Sequence, residues 1–141
     1  IDHLKMGLIR SGECKLSAEC SNAELTIYLW PILREMIKTC IENSQNIIIE
    51  GCYIPFGWAN DFAIEYQQHI KYVCLILSKE YIKNHYSDIL RFENIIEKRL
   101  PTELIQKELH QVNEYNLQQC KSYNCKYILV EDDYQIDIDQ I

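Results

Sequence analysis

The sequence predicts an α/β fold, a parallel sheet with helices on both faces. Short, nearly continuous apolar runs recur at "NIIIE" (46–50), "KYVCLILS" (71–78) and "KYILVE" (126–131). Amphipathic stretches of helical period separate them. The resulting order is helix, strand, helix, strand, helices, strand. A strand apolar at every position is one covered on both sides. Strands that alternate with helices build parallel βαβ units, and right-handed crossovers restrict their topology.

Each element has its own local reason. In "IDHLKMGLIR" the apolar residues Leu4, Met6, Leu8 and Ile9 suit a short helix with Asp2 as its cap. "SGECKLSAEC" is a polar loop. Ser21 and Glu24 have capping-box spacing, and Leu25, Leu29, Ile32, Leu33, Met36, Ile37, Cys40 and Ile41 follow with the i, i+3, i+4 period of an amphipathic helix. Pro31 should bend that helix or loosen one turn, because it has no N–H to donate. "ENSQ" ends it. Ile47–Glu50 is too short and too β-branched for a helix and reads as a strand. A loop over 51–57 precedes a helix from Trp58 to Gln68. The strand at 71–78 ends at Ser78, which caps a helix over 79–86; the helical pattern resumes over 88–100 and stops at Pro101. Thr102 caps a long helix to about Lys121, with Leu104, Ile105, Leu109, Val112 and Leu117 inward. The acidic tail from 132 onward has no clear period.

The 141 residues form one domain by length, enough to bury a single core. The net charge of −7 argues against non-specific nucleic-acid binding, which needs a basic field. No apolar run approaches the roughly 18–20 residues needed to cross a bilayer, and no signal-peptide pattern opens the chain. The seven cysteines are irregularly spaced without a C-x-x-C pair, unlike a zinc site. Cys40 and Cys74 read as small core residues. Reduced thiols point to a cytoplasmic setting; Cys14/Cys20 and Cys120/Cys125 are the pairs that would form disulfides otherwise. His3, His69, His85 and His110 do not cluster.

In open parallel sheets, ligands bind beyond the carboxyl ends of the strands. Glu50 is the sharpest candidate there. An apolar strand ending in an acid is the Walker-B pattern, in which the carboxylate holds Mg²⁺ directly or through water. Gly51 beside it would let backbone approach a ligand. The plainer reading is an acid that caps the next turn. Asp2 can orient an acceptor hydroxyl or accept its proton, or serve only as a helix cap. Arg91 and Arg99 share one helical face and can clamp a transferring phosphoryl group, or make a solvated basic face. Lys5 and Arg10 can face the acceptor, or stay on a solvated surface; Tyr53, Phe56 and Trp58 line its expected pocket and can stack on a base or sugar, or serve as packing.

The stretches "IDHLKMGL", "NIIIEGCYIP", "VCLILSKEYI", "LRFENIIEKR" and "CKYILVEDDY" together resemble the small P-loop kinases of the adenylate-kinase-like and 2-phosphoglycerate-kinase-like type, in order along the whole chain. The resemblance implies a P-loop NTPase, nucleotide-kinase-like fold. It implies an ATP-dependent transferase acting on a small acceptor such as a nucleotide, nucleoside or sugar-type metabolite, with Mg²⁺ and ATP. Asp2 matches the acceptor-side acid, Glu50 the Walker-B-position acid, Arg91 and Arg99 the basic lid over about 79–101, and 125–134 the last strand. The family's G-x-x-x-x-G-K-[ST] loop is absent from residues 1–141. It is expected upstream of Ile1, which reads as the tail of a preceding element, so these residues alone are expected to be inactive. The competing class is a non-catalytic α/β binding module without a P-loop. Acceptor identity and oligomeric state are not readable from the sequence.

Overall fold

The computed structural model describes residues 1–12, 14–17, 20–93, 95 and 105–137. The chain divides into two compact units, Ile1–Ile70 and Lys71–Ile141. It is mixed α/β, with five α-helices and a small two-stranded parallel sheet among the described residues. No helix among them is long and apolar enough to cross a membrane.

In the first unit, α1 spans Asp2–Ser11 and α2 spans Asn22–Glu42. The cap of α1 falls on Ile1, one residue before the position expected, so Asp2 lies inside the first turn. A carboxylate there faces the positive end of the helix dipole. Gly12, at φ 74°, ends the helix in the left-handed conformation that favours glycine. The capping box of α2 forms as the spacing predicts: Glu24 N–H donates to Ser21 Oγ (3.3 Å) and Ser21 N–H to Glu24 Oε2 (2.9 Å). The helix runs unbroken past Pro31. The residue whose carbonyl thereby loses its helical partner, Ile27, is 76% exposed, so water can take that bond.

Leu25, Leu29, Trp30 and Leu33 of α2 pack with Tyr53 and Phe62 into one core. Phe62 is its aromatic hub. The Trp30 ring meets it edge-on at 6.0 Å and the Trp58 ring at 6.1 Å, the geometry that ring quadrupoles favour. Trp30 Nε1 donates to Asp61 Oδ2 at 2.7 Å, which satisfies the indole N–H of a residue only 7% exposed. The helix expected over 58–68 is instead a 3-10 turn, Trp58–Asp61, and a single α-turn, α3, Ile64–Gln67. Phe62 and Ala63 between them are extended. Gln67 Nε2 holds the two pieces together, donating to the carbonyls of Ala59 and Phe62, each at 2.8 Å.

The strand expected at 47–50 does not form. Residues 45–50 have no regular secondary structure and join no ladder among the described residues. Ile49 packs on the core, whereas Ile48 is 95% exposed. An apolar run becomes a strand only when another backbone pairs with it; here Gln45 N–H donates to Cys40 O at 2.8 Å and the Ile1 amine to Glu50 O at 2.8 Å, and neither bond begins a ladder.

In the second unit, β1 (Cys74–Leu77) and β2 (Tyr127–Val130) pair in parallel, with Cys74 opposite Tyr127 and Leu77 opposite Val130. Bonds from Cys74 N–H to Lys126 O (3.0 Å) and from Ser78 N–H to Val130 O (2.9 Å) close the ladder at its two ends. Between the strands lie α4 (Lys79–Phe92) and α5 (Gln106–Ser122). Ser78 caps α4 as expected, its Oγ accepting from Tyr81 N–H at 3.0 Å. The break expected near residue 87 is a kink at His85 (φ −115°, ψ 18°), whose ring stacks on Tyr81 at 4.5 Å. The start of α5 expected at Thr102, and inward Leu104, lie outside the described residues. The buried face of α5 also differs from the expectation: Val112 is 55% exposed and Ile105 47%, while Asn113 and Cys120 are buried. Ile76, Ile82, Cys120 and Val130 are at most 3% exposed.

Asn113 is buried for a polar reason. Its Oδ1 accepts the Leu77 N–H at 2.8 Å and its Nδ2 donates to Leu109 O at 2.9 Å. The first bond satisfies a strand N–H that does not face β2, and does so from a helix. Asn113→Ala removes that acceptor and leaves a partly buried N–H without its partner, so it should lower stability by about 1–3 kcal/mol. Denaturant unfolding monitored by circular dichroism reads this directly; an unchanged midpoint would mean that water replaces the bond.

Candidate functional site

The first turn of α1 and the segment after Glu50 come together in the first unit. Lys5, one helical turn beyond Asp2, reaches back and donates to Asp2 Oδ1 at 2.7 Å. The same ammonium donates to Tyr53 OH at 3.2 Å and lies 5.3 Å from the centre of the Tyr53 ring. The Tyr53 side chain is largely core, at 5% exposure, so its face is taken by packing and its hydroxyl end meets the lysine. The side chains of Lys5 and Asp2 are 19% and 37% exposed. This is a partly desolvated acid–lysine–phenol triad whose ammonium and carboxylate still reach solvent.

Burial alone would lower the lysine's affinity for its proton. The bonds to Asp2 and Tyr53 outweigh it, and Lys5 sits above its ordinary value of 10.5. Burial raises Tyr53 above the ordinary tyrosine range, partly opposed by the bond from Lys5. Lys5 is therefore charged and Tyr53 neutral across the physiological range. The lysine can donate to an anionic or hydroxyl oxygen entering beside Asp2.

Glu50 and Gly51 adjoin this triad through the backbone. Glu50 is exposed, with its carbonyl bound to the Ile1 amine at 2.8 Å. Gly51 has φ +143°, a conformation side chains rarely adopt. A Cβ there would lie 2.9 Å from Ile1 Cδ1. The close approach that requires glycine at this position is thus made by the Ile1 side chain.

Of the remaining predicted residues, Arg10 lies exposed in the last turn of α1. Arg91 is in the last turn of α4, exposed, with its guanidinium 5.5 Å from the Phe92 ring centre; it belongs to the second unit. Arg99 and most of the expected lid beyond Phe92 lie outside the described residues. The structure therefore brings together Asp2, Lys5 and Tyr53, with Glu50 and Gly51 next along the chain. Sequence reasoning named these residues but not the bond that joins them. The i, i+3 spacing of Asp2 and Lys5 was the available signal.

No group of three or more His, Cys, Asp or Glu able to hold a metal ion occurs among the described residues. A Mg²⁺ ion asks for less, since it keeps several waters and takes one or two carboxylates together with substrate phosphates. The single exposed carboxylate of Glu50 fits that role; Asp2, held by Lys5, is the less available of the two. A separate apolar hollow of about 610 Å³ lies along α2, lined by Pro31, Ile32, Glu35, Met36, Thr39 and Cys40, and contains none of the predicted site residues. Comparison with protein-family models, with curated proteins and with solved structures finds no match for this chain.

Two measurements test the site geometry. Gly51→Ala forces a side chain into a glycine conformation against Ile1, so it should cost roughly 1–3 kcal/mol and lower the melting temperature; an unperturbed variant would show that the turn relaxes freely. Lys5 has a folded-state pKa above its unfolded one, so its stabilisation is complete below about 10.5 and is lost as pH rises through the folded value. Stability should therefore decline on the alkaline side, and Lys5→Met should flatten that decline. Equal alkaline slopes in the two proteins would refute the coupling.

Proposed function

We propose that this chain is part of an ATP-dependent phosphotransferase of P-loop kinase type that acts on a small acceptor, such as a nucleotide, nucleoside or sugar-type metabolite. The observation that supports it most is the pair of hydrogen bonds that Lys5 donates to Asp2 and Tyr53, at 2.7 and 3.2 Å. It joins the acid expected on the acceptor side to the segment that follows the expected Walker-B acid.

In this reading an acceptor hydroxyl or phosphate enters beside Asp2 and Lys5. The Lys5 ammonium binds its negative oxygen. Asp2, held by that ammonium, accepts a hydrogen bond from the attacking hydroxyl and aligns it for in-line transfer. Tyr53 fixes the lysine in place, and its buried ring keeps the hydroxyl from swinging away. Glu50 would hold Mg²⁺ directly or through water, and the ion would offset charge on the phosphates. The phosphate-cradling backbone loop that such chemistry needs is assigned to polypeptide outside residues 1–141, so these residues alone should turn over little or no ATP.

The test uses the protein expressed from its complete natural reading frame, assayed for ADP release against nucleoside monophosphates, nucleosides, sugars and phosphoglycerates. One acceptor should support MgATP turnover. Glu50→Gln should reduce kcat by roughly 100-fold or more, and Asp2→Asn by a similar factor, with folding retained. Failure to bind MgATP, together with no turnover of any acceptor, would overturn the proposal and leave the binding-module reading.

A further inference from the structure

The small sheet of the second unit has two outer edges, and they differ. β1 and β2 run parallel, with Cys74 N–H bound to Lys126 O and Ser78 N–H to Val130 O. Residues two apart along a strand face the same way. Lys126, Ile128 and Val130 therefore direct their backbone groups at β1, and Tyr127 and Leu129 direct theirs away from it. On the outer edge of β1 the Leu77 N–H is met by Asn113 Oδ1 at 2.8 Å. Along the outer edge of β2 no further strand lies among the described residues. The Tyr127 and Leu129 side chains are exposed there, at 36% and 37%. An open apolar edge of this kind is a template for another strand.

We propose that β2 is an interaction surface for a second copy of this chain, pairing antiparallel with its own counterpart about a two-fold axis at Leu129, so that two sheets of two strands join into one of four. The occupant follows from the charges at the two ends of the strand. Lys126 precedes β2, and Glu131, Asp132 and Asp133 follow it; all four are exposed. An antiparallel copy lays the basic start of each strand beside the acidic end of the other. A parallel copy would set acid against acid. The edge is thus its own complement, which is what an isologous contact requires.

The register follows from parity and charge together. Outward-facing backbone bonds only to outward-facing backbone, so Tyr127 and Leu129 must meet odd-numbered residues of the partner. The axis then falls on Ile128, Leu129 or Val130. An axis at Ile128 sets Lys126 against the partner's Val130, and one at Val130 sets Ile128 against the partner's Asp132. An axis at Leu129 sets Lys126 against the partner's Asp132, twice by symmetry. Opposite charges across an antiparallel pair support it, and like charges oppose it. Lys126 and the partner's Asp132 then form a non-hydrogen-bonded pair, the type in which side chains lie closer. One short strand on each side buries less than the roughly 1,200 Å² of a stable complex, so the dimer is weak and depends on concentration.

The experiment takes the protein expressed from its complete natural reading frame through sedimentation equilibrium, from about 1 μM to about 1 mM. A reversible monomer–dimer equilibrium is expected. Leu129→Pro should abolish it while leaving the β1–β2 ladder intact, because the N–H it removes points outward. Lys126→Glu and Asp132→Lys should each be monomeric alone, since each sets like charges opposite one another. An equimolar mixture of the two variants should dimerise again, because both cross-strand pairs are then of opposite charge, and the double variant should dimerise by itself. A monomer at every concentration, a dimer that survives Leu129→Pro, or charge variants that stay monomeric when mixed would each overturn the proposal. The contact uses no residue of the kinase reading and the readout needs no turnover, so the two stand or fall separately.

Discussion

The pairing of backbone groups is the constraint on which the rest of this structure depends. A peptide N–H or C=O removed from water must meet a partner. In the second unit that requirement is met by two strands that lie in register and by the Asn113 side chain, which takes the Leu77 N–H. Ile76 and Val130 can then be buried because their backbone is satisfied. Residues 47–49 are as apolar as either strand, yet no neighbouring ladder forms around them among the described residues, and Ile48 stays almost wholly exposed. Apolar composition supplies the drive for burial. Only a paired backbone permits it.

The same logic organises the first unit around polar ends of apolar groups. Trp30 enters the core because Asp61 receives its N–H, and Tyr53 enters because Lys5 meets its hydroxyl. Each bond lets a large aromatic contribute its area to burial without leaving a donor or acceptor stranded. The Lys5 bond has a second consequence. Holding one ammonium between an acid and a phenol keeps a positive charge near the surface, poised for an anionic oxygen, and the helix dipole at α1 favours the acid beside it. Structure and candidate chemistry are served by one contact.

Gly51 shows how a functional expectation and a packing role can converge on one residue. A glycine after a strand-end acid reads as room for a ligand. Its positive φ and the Ile1 side chain at 2.9 Å from where a Cβ would lie give it a conformational reason as well. Cys120 is the opposite case: it drew notice only for its spacing to Cys125, yet it is among the most completely buried side chains of the second unit.

Helix periodicity, the Ser21–Glu24 capping box, the Ser78 cap and the apolar runs at β1 and β2 were all legible in the sequence, because they rest on contacts within a few residues. So were Asp2, Lys5, Glu50, Gly51 and Tyr53 as residues of interest. The tertiary structure decided what depends on distant partners: that 46–50 joins no ladder among the described residues, that 58–68 splits around Phe62, that Asn113 and not Val112 faces inward, and that Lys5 ties α1 to Tyr53. A local pattern reports which groups seek burial or a hydrogen bond, and the fold determines which distant group answers.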